Sequence, residues 1–416
     1  MKQDFFTLLS PAEFTALLAG FAPTPPAPAA LADLHGRVLA QDLAAPEDLP
    51  AADRSSMDGY AVRAADTFGA GEANPAYLDL AGSAAIDTVP DAPLAPGTCL
   101  AVTTGGTLPP GADAVVMVEH TADLGAGAIE VRKSLAPGEN VMLKGEDGTR
   151  GAVLLPAGTR LRAQEVGLLA AFGVAEAQVR ARPRAGIVST GDELVPATAR
   201  PRPGQIRDVN SHALACLASE AGAEARAYGI VPDRKDELTA ALSRAAAECD
   251  LVLVSGGSSV GTRDLTVEVL TGLGAEILAH GVAISPGKPT ILARMGARLG
   301  NKPVLGLPGQ ITSAQVVMLV FGQPLLRHLA GQARAFDPGL RPRRKAVLSR
   351  NLASKPGRED YIRVSLEERP GHLPLAHPRT GKSGLIRTMV EADGLVTVSA
   401  RREGLAAGTE VDVWLI

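Results

Sequence analysis

The stretch from Asp250 to Asp264, DLVLVSGGSSVGTRD, runs an apolar segment (Leu251 to Val254) straight into a glycine- and serine-rich turn that ends on a carboxylate. Glycine carries no Cβ, so the backbone of such a turn approaches a ligand closely and aims its N–H groups at an anion. Ser255, Gly256, Gly257 and Ser259 are therefore candidate phosphate ligands. The arrangement recurs: Ala185 to Ser189 precedes Thr190-Gly191-Asp192-Glu193, and Val304 to Leu307 precedes Pro308-Gly309-Gln310. Asp192, Glu193, Asp233 and Asp264 fall in loops expected at or near one sheet edge, although an Asp after a glycine turn also serves as a plain helix N-cap. Several carboxylates beside phosphate-cradling turns would repel an anionic ligand unless a divalent cation bridges them to it, and Mg2+ is the simplest choice. Ser285-Pro286-Gly287-Lys288-Pro289 holds a lysine between two prolines, either as a point charge for a compact oxyanion or as a solvated surface residue.

Other polar stretches are less specific. Gly357-Arg358-Glu359-Asp360 and Gly381-Lys382-Ser383-Gly384 read alone as hairpin connections. The loop Asp53 to Tyr60, with Asp58 in it, and the bend Thr103-Thr104-Gly105-Gly106 are equally compatible with simple solvation. The histidines show no ligand spacing with the cysteines, and no Ser/His/Asp set carries a nucleophile-elbow signature.

The elements that must position these groups alternate. Short apolar strands separated by helical stretches, Ser211 to Glu220 with Asn210 or Ser211 as N-cap and Asp236 to Cys249, imply a doubly wound α/β domain whose turns share one edge. Ser10-Pro11-Ala12-Glu13 is a capping box that opens an amphipathic helix. Ala22 to Ala29 reads as a Pro/Ala linker and Leu31 to Leu43 as a second short helix. Residues 51–138 are short runs broken by Gly and Pro, a small β-rich domain. Arg160 to Phe172 returns to helical texture, which makes residues 1–50 and 139–181 one discontinuous helical and extended linker domain interrupted by the β-rich insertion. Residues 182–332 form the α/β unit. Residues 333–416 alternate again, as in Val411 to Leu415, and suit a small barrel or sandwich.

A chain of 416 residues is long enough for roughly two to four domains. Its 41 basic and 45 acidic side chains are nearly balanced, which argues against a nucleic-acid footprint spread over the surface. The cysteines Cys99, Cys216 and Cys249 are odd in number and widely spaced, which suits a reducing compartment. No signal segment or membrane-length apolar run is present, so the expectation is a soluble cytoplasmic protein.

Taken in order, nine segments resemble the MoeA-type molybdopterin molybdenumtransferases, a family that includes the E domain of gephyrin. They are SSMDGYAV (55–62), TGGTLPPGADAVVM (104–117), GED (145–147), STGDELV (189–195), PGQIRDVN (203–210), SGGSSVGTRD (255–264), PGKP (286–289), GLPG (306–309) and GRED (357–360). The resemblance implies an elongated four-domain homodimer with a molybdopterin-binding α/β/α domain, a fold shared with the adenylyltransferase one step earlier and with CinA-like proteins. It implies Mg2+-dependent cleavage of adenylylated molybdopterin, release of AMP and insertion of molybdate into the dithiolene, with the adenylyltransferase as delivery partner. Carried over residue by residue, Asp58, Thr104, Glu193, Asp233 and Asp264 match acidic or hydroxyl active-site positions, with Asp233 and Asp264 organising Mg2+. Thr190, Gly191, Asp192, Ser255, Gly256, Gly257 and Ser259 fall on the cofactor-binding turns. Lys288, with its neighbour Pro289, Arg358 and Ser383 match the molybdate pocket. The last two come from the C-terminal domain and are expected to complete the other subunit's site.

The chain departs from the family at Ser285, where Lys is common, at Gln310 and Ile311, where Asn-Pro is usual, and at Ser258, usually Val. Loss of the proline at Ile311 is expected to loosen a turn without destroying the fold. Two variants of the same reading are a paralogue that inserts tungstate and a non-catalytic molybdopterin-binding or scaffold module. A nucleotidyl-transferring relative sharing only the α/β domain would lack the Asp58 and Thr104 motifs and the C-terminal domain.

Overall fold

The computed structural model describes residues 8–256 and 260–416; the side chains of residues 260–264 also lie outside the description. The centre is a six-stranded sheet in the order Glu224–Val231, Arg184–Thr190, Leu251–Gly256, Pro303–Leu307, Ile291–Arg294, Glu276–His280. The first four strands are parallel and Ile291–Arg294 is antiparallel to both of its neighbours. Strand Leu251–Gly256 is apolar and buried over Leu251 to Val254 because helices cover both faces. Asn210–Glu220 and the long helical run 311–329 pack on one face, through Leu214, Leu253, Leu305 and Leu325. Lys235–Glu248 packs on the other through Leu238, Leu242, Val252 and Val304.

The sequence reading needs four corrections here. Helix Asn210–Glu220 is capped by neither Asn210 nor Ser211; the Ser211 N–H donates to Asp208 Oδ1 at 3.1 Å. Residues Pro26–Ala30, expected as linker, form a strand antiparallel to Glu176–Arg180. Prolines are tolerated because Pro26–Ala30 is the edge strand, whereas Glu176–Arg180 is bonded on its other side by Val38 and Ala40. The helix expected from Leu31 to Leu43 shrinks to a single 3₁₀ turn, Leu31–Asp33. Gly36 then adopts φ +75° and the chain runs extended through Val38 and Leu39. Finally, helix Pro11–Ala19 packs on the α/β core, not on the linker residues with which 1–50 grouped it: Phe14 meets Phe321 with ring centroids 4.7 Å apart.

That helix begins with the expected capping box. Glu13 N–H donates to Ser10 Oγ at 3.3 Å, and Ser10 N–H donates to Glu13 Oε2 at 2.8 Å. Ser10→Ala should lower unfolding free energy by about 1 kcal/mol, because one N-terminal N–H loses its acceptor. Urea denaturation followed by far-UV circular dichroism reads this directly, and an unchanged midpoint would make the cap irrelevant to the cooperative unit.

The insertion is a sheet ordered Ala114–Met117, Gly59–Val62, Thr98–Val102, Ala76–Ser83, Ala128–Val131, Thr121–Asp123, closed over Val62, Leu78, Cys99 and Ile129. The C-terminal strands Glu359–Glu367, Leu375–Pro378, Arg343–Leu348, Glu410–Leu415 and Gly394–Val398 form a barrel, since the last also pairs with the first. A short strand of the α/β domain, Ile284–Ser285, joins it parallel to Glu359–Asp360.

Arg341 clamps the two domains together. The helical run contains one widened π turn, Met318–Gly322, and Arg341 Nη2 donates to the carbonyls of Leu319 (3.3 Å) and Val320 (3.0 Å). The guanidinium lies 3.6 Å from the Trp414 ring centroid on the barrel. Burial pulls it down to about 10, so it remains charged at neutral pH.

Candidate active site

The parallel register sets Thr190 beside Gly256 and Ser189 beside Ser255, so the two glycine turns leave the sheet at the same edge. Gly256 has φ +154°, and a Cβ there would stand 1.9 Å from the Thr190 carbonyl oxygen. Gly191 has φ +153°, and its absent Cβ leaves room for the Glu193 carboxylate. Glycine at both positions is what allows the strand ends to close together.

Thr190 Oγ1 donates to Asp233 Oδ1 at 2.7 Å, and Asp233 N–H donates to Asp192 Oδ1 at 3.1 Å. Asp192, Glu193 and Asp233 thus gather beside the Thr190 turn. Gly257 and Ser259 lie outside the described residues, as does the side chain of Asp264. Among the described residues no set of three or more His, Cys, Asp or Glu groups forms a metal cage. The donors present are hard carboxylate oxygens and fit Mg2+, which retains waters and binds through one or two carboxylates plus substrate phosphates.

Asn210 ties the turns together, a role not read from the sequence. Its Nδ2 donates to Ser255 Oγ at 2.7 Å and to the Gly309 carbonyl at 2.8 Å. It is 7% exposed, so these bonds are shielded from water. Its place in PGQIRDVN was visible, but the two contacts bridge long sequence separations that no local pattern encodes.

The oxyanion candidates lie on segments that join the α/β domain to the barrel. Lys288 is exposed; the turn holding it is anchored by Val282 N–H to Lys288 O (2.9 Å) and Thr290 Oγ1 to Gly287 O (2.7 Å). Gly287 (φ +121°) is wedged where a Cβ would come within 2.6 Å of Ile284 and Val317. Pairing of Ile284–Ser285 with Glu359–Asp360 brings in Arg358, whose Nε lies 2.8 Å from Oδ1 of the buried Asp360. Thr312 donates to the Ser383 carbonyl through N–H (3.1 Å) and Oγ1 (2.7 Å). These contacts tie Arg358 and Ser383 to loops of their own chain. Ile311 begins its helix and is 5% exposed, so its side chain packs where proline was expected.

Asp58 and Thr104 also come together. Asp58 Oδ1 accepts from Thr104 N–H (2.7 Å) and Thr104 Oγ1 (2.9 Å), first the backbone and then the hydroxyl holding the carboxyl below its usual range. Among the described residues, no hydrogen bond or ion pair links the sheet that carries them to the α/β domain of the same chain.

A doubly wound domain whose glycine turns close together at one sheet edge, beside a cation-bearing barrel junction, is the arrangement in which α/β enzymes bind ligands beyond their strand ends. Three family models match the chain: MoeA N-terminal region (domain I and II) at residues 9–173, the probable molybdopterin binding domain at 186–328, and MoeA C-terminal region (domain IV) at 345–416. Molybdopterin molybdenumtransferase 2 of Mycobacterium tuberculosis is 35% identical over 389 residues, 92% of this chain and 93% of that one. Molybdopterin molybdenumtransferase of Nostoc sp. is 36% identical over 380 residues, covering 91% of this chain and 86% of that one. The crystal structure of a molybdopterin biosynthesis MoeA protein from Pyrococcus horikoshii aligns over 99% of this chain and 100% of its own, with TM-score 0.82 and 30% identity. The chain belongs to the molybdopterin molybdenumtransferase family, and with it to molybdenum cofactor biosynthesis, with molybdate as substrate. The multidomain fold with its α/β domain and closed barrel is the one read from the sequence. Among the described residues no helix is long and apolar enough to cross a membrane.

Proposed function

We propose that this chain catalyses the last step of molybdenum cofactor assembly: Mg2+-dependent cleavage of the pyrophosphate of adenylylated molybdopterin, release of AMP and insertion of molybdate into the dithiolene. The observation that carries this reading is the closure of the Thr190 and Gly256 strand ends with Asp233 hydrogen-bonded to Thr190. Thr190, Gly191, Asp192, Ser255, Gly256, Gly257 and Ser259 bind the anionic substrate through backbone N–H and hydroxyl donors, and Asn210 orients Ser255. Asp233 and Asp264 hold Mg2+, which supplies charge neutralisation at the pyrophosphate oxygens when bound. Lys288, with Pro289 beside it, Arg358 and the Ser383 turn compensate the molybdate dianion. Asp58, Thr104 and Glu193 complete the active-site set.

The working unit in this reading is a cytoplasmic homodimer with a shared site, made of domains 1–50 with 139–181 (its helix Pro11–Ala19 resting on the α/β core), 51–138, 182–332 and 333–416. It receives substrate from the molybdopterin adenylyltransferase and binds neither nucleic acid nor membrane. AMP release from adenylylated molybdopterin should require both Mg2+ and molybdate and should yield cofactor that reconstitutes an apo-molybdoenzyme. Release independent of Mg2+ would remove the proposed role of Asp233 and Asp264, and release favoured by tungstate would make the chain a tungstate paralogue.

Ser285 tests the pocket from the other direction. It is the register partner of Asp360, two positions along from Arg358, and contributes no charge. Ser285→Lys should lower the half-saturating molybdate concentration by about threefold to tenfold, the range of one added partly exposed charge contact. An unchanged molybdate titration would place the oxyanion away from the Ser285 to Lys288 turn.

A further inference from the structure

Away from the glycine turns, Arg37, Arg160, Arg180, Arg182 and Arg327 converge where the linker strands meet the last turns of helices Asn210–Glu220 and Gln323–Leu329. Two of these side chains are partly engaged by carbonyls: Arg37 Nη2 donates to Arg180 O at 2.9 Å, and Arg180 Nη1 to Thr24 O at 3.0 Å. The side chains of Arg160, Arg182 and Arg327 make no hydrogen bond or ion pair among the described residues. The carboxylates that face the cluster are Asp33, toward Arg37, and Glu220, toward Arg327. Burial and then the neighbouring Arg160 hold the Arg327 guanidinium below its usual range, so positive charge is crowded here without a matching counter-charge.

Arg160, Arg327 and Gln332 also line a cavity of about 690 Å³, together with Leu217, Glu220, Leu319 and Trp414. That volume lies within the range of small-molecule sites, and its lining combines donors with an apolar face. Glu220, in its lining, is the last residue of the helix whose first residue, Asn210, holds Ser255 and Gly309. Eleven residues of helix separate the two ends, roughly 16 Å.

We propose that this cavity is a second anion site, which takes an organic phosphate with its dianionic head on Arg160 and Arg327 and its apolar body against Leu217, Leu319 and Trp414. Two guanidinium groups that repel each other are matched by a phosphate dianion and only half matched by a single carboxylate.

Inorganic phosphate is the first probe, titrated into the full chain with thermal unfolding and calorimetry as readouts. The Lys288→Ala protein, weakened at the proposed molybdate pocket, should keep the phosphate response of this cavity. Arg160→Gln with Arg327→Gln should weaken it at least tenfold and leave AMP release at the wild-type rate. Arg160→Gln alone, at an exposed residue, should fold normally and show an intermediate loss. Phosphate binding that is unchanged in the double variant would overturn the site. Sedimentation showing that the double variant alters self-association, with no phosphate effect on the wild type, would overturn it in favour of carboxylates from a second copy.

Discussion

Gly256→Ala is expected to slow AMP release by about a hundredfold or more, because a misplacement of reacting groups of the order of 1 Å has that effect. A Cβ at this position would stand 1.9 Å from the Thr190 oxygen, 2.8 Å from its carbonyl carbon and 2.7 Å from its Cγ2. Two of those atoms are backbone, so no side-chain rotation relieves the clash and the two strand ends must part. Parting them disturbs the Thr190 to Asp233 hydrogen bond on one side and the Ser255 to Asn210 bond on the other. The backbone angle, φ +154°, adds strain for any residue with a side chain. Stability should fall as well, by about 1–3 kcal/mol, the range for overpacking against a fixed backbone conformation. Gly167→Ala is the matched control: it lies mid-helix in Ala163–Ala171 with nothing within 4 Å of the new Cβ. It should leave AMP release unchanged and gain up to about 1 kcal/mol. Single-turnover AMP release and urea denaturation of the two variants give the comparison. If Gly256→Ala worked at a near-wild-type rate, the Thr190 strand end would not belong to the reacting geometry.

What could be read without coordinates divides along a physical line. The turns after Thr190, Gly256 and Leu307 were legible because a buried strand is an unbroken apolar run and glycine is the residue that a close approach demands. Glu224–Val231 was missed for the complementary reason: it is an edge strand, buried only at Val231, and Arg226 and Gly229 break up its apolar residues. Leu31, Leu34 and Val38 are spaced as a helical stripe would be, yet the spacing arises from one 3₁₀ turn followed by extended chain after Gly36. Side-chain chemistry named Asp233 and Lys288 as candidates, because charge and flanking glycine or proline are local, whereas Asp58 and Arg358 became candidates only through the family resemblance. Which of them share a site is a tertiary fact. Neither the role of Asn210 nor the joining of Arg358 and Ser383 to their own chain's loops is encoded at any spacing.

The same tertiary fact decides how a shared site must be divided, and it yields a sharp result. Arg358 and Ser383 already belong to the α/β edge of their own chain, whereas Asp58 and Thr104 sit on a sheet with no described hydrogen bond or ion pair to that edge. If the dimer shares its site, the partner's contribution is therefore the Asp58 and Thr104 pair. Asp58→Ala and Asp233→Ala should each reduce AMP release by about a hundredfold or more on their own, as expected for charged groups that act on the reacting phosphates. Neither should lower the melting temperature appreciably, since Asp58 is exposed and Asp233 only partly buried. Co-expressed at equal levels with different tags, the two variants form mixed dimers as about half of the population. In each mixed dimer one site combines an intact Asp233 with an intact Asp58 from the partner, and the other site carries both lesions. Activity should return to about a quarter of wild type, and purified mixed dimers to about half. A site built within one chain predicts no recovery, because every site would then carry one lesion. The depressed Asp58 carboxyl adds a signature: its charge, and any activity that depends on it, should persist as pH falls through the usual carboxylate range. Thr104→Val removes the hydroxyl donor, so the acidic limb of the profile should move to higher pH, and an unmoved limb would assign it to another group.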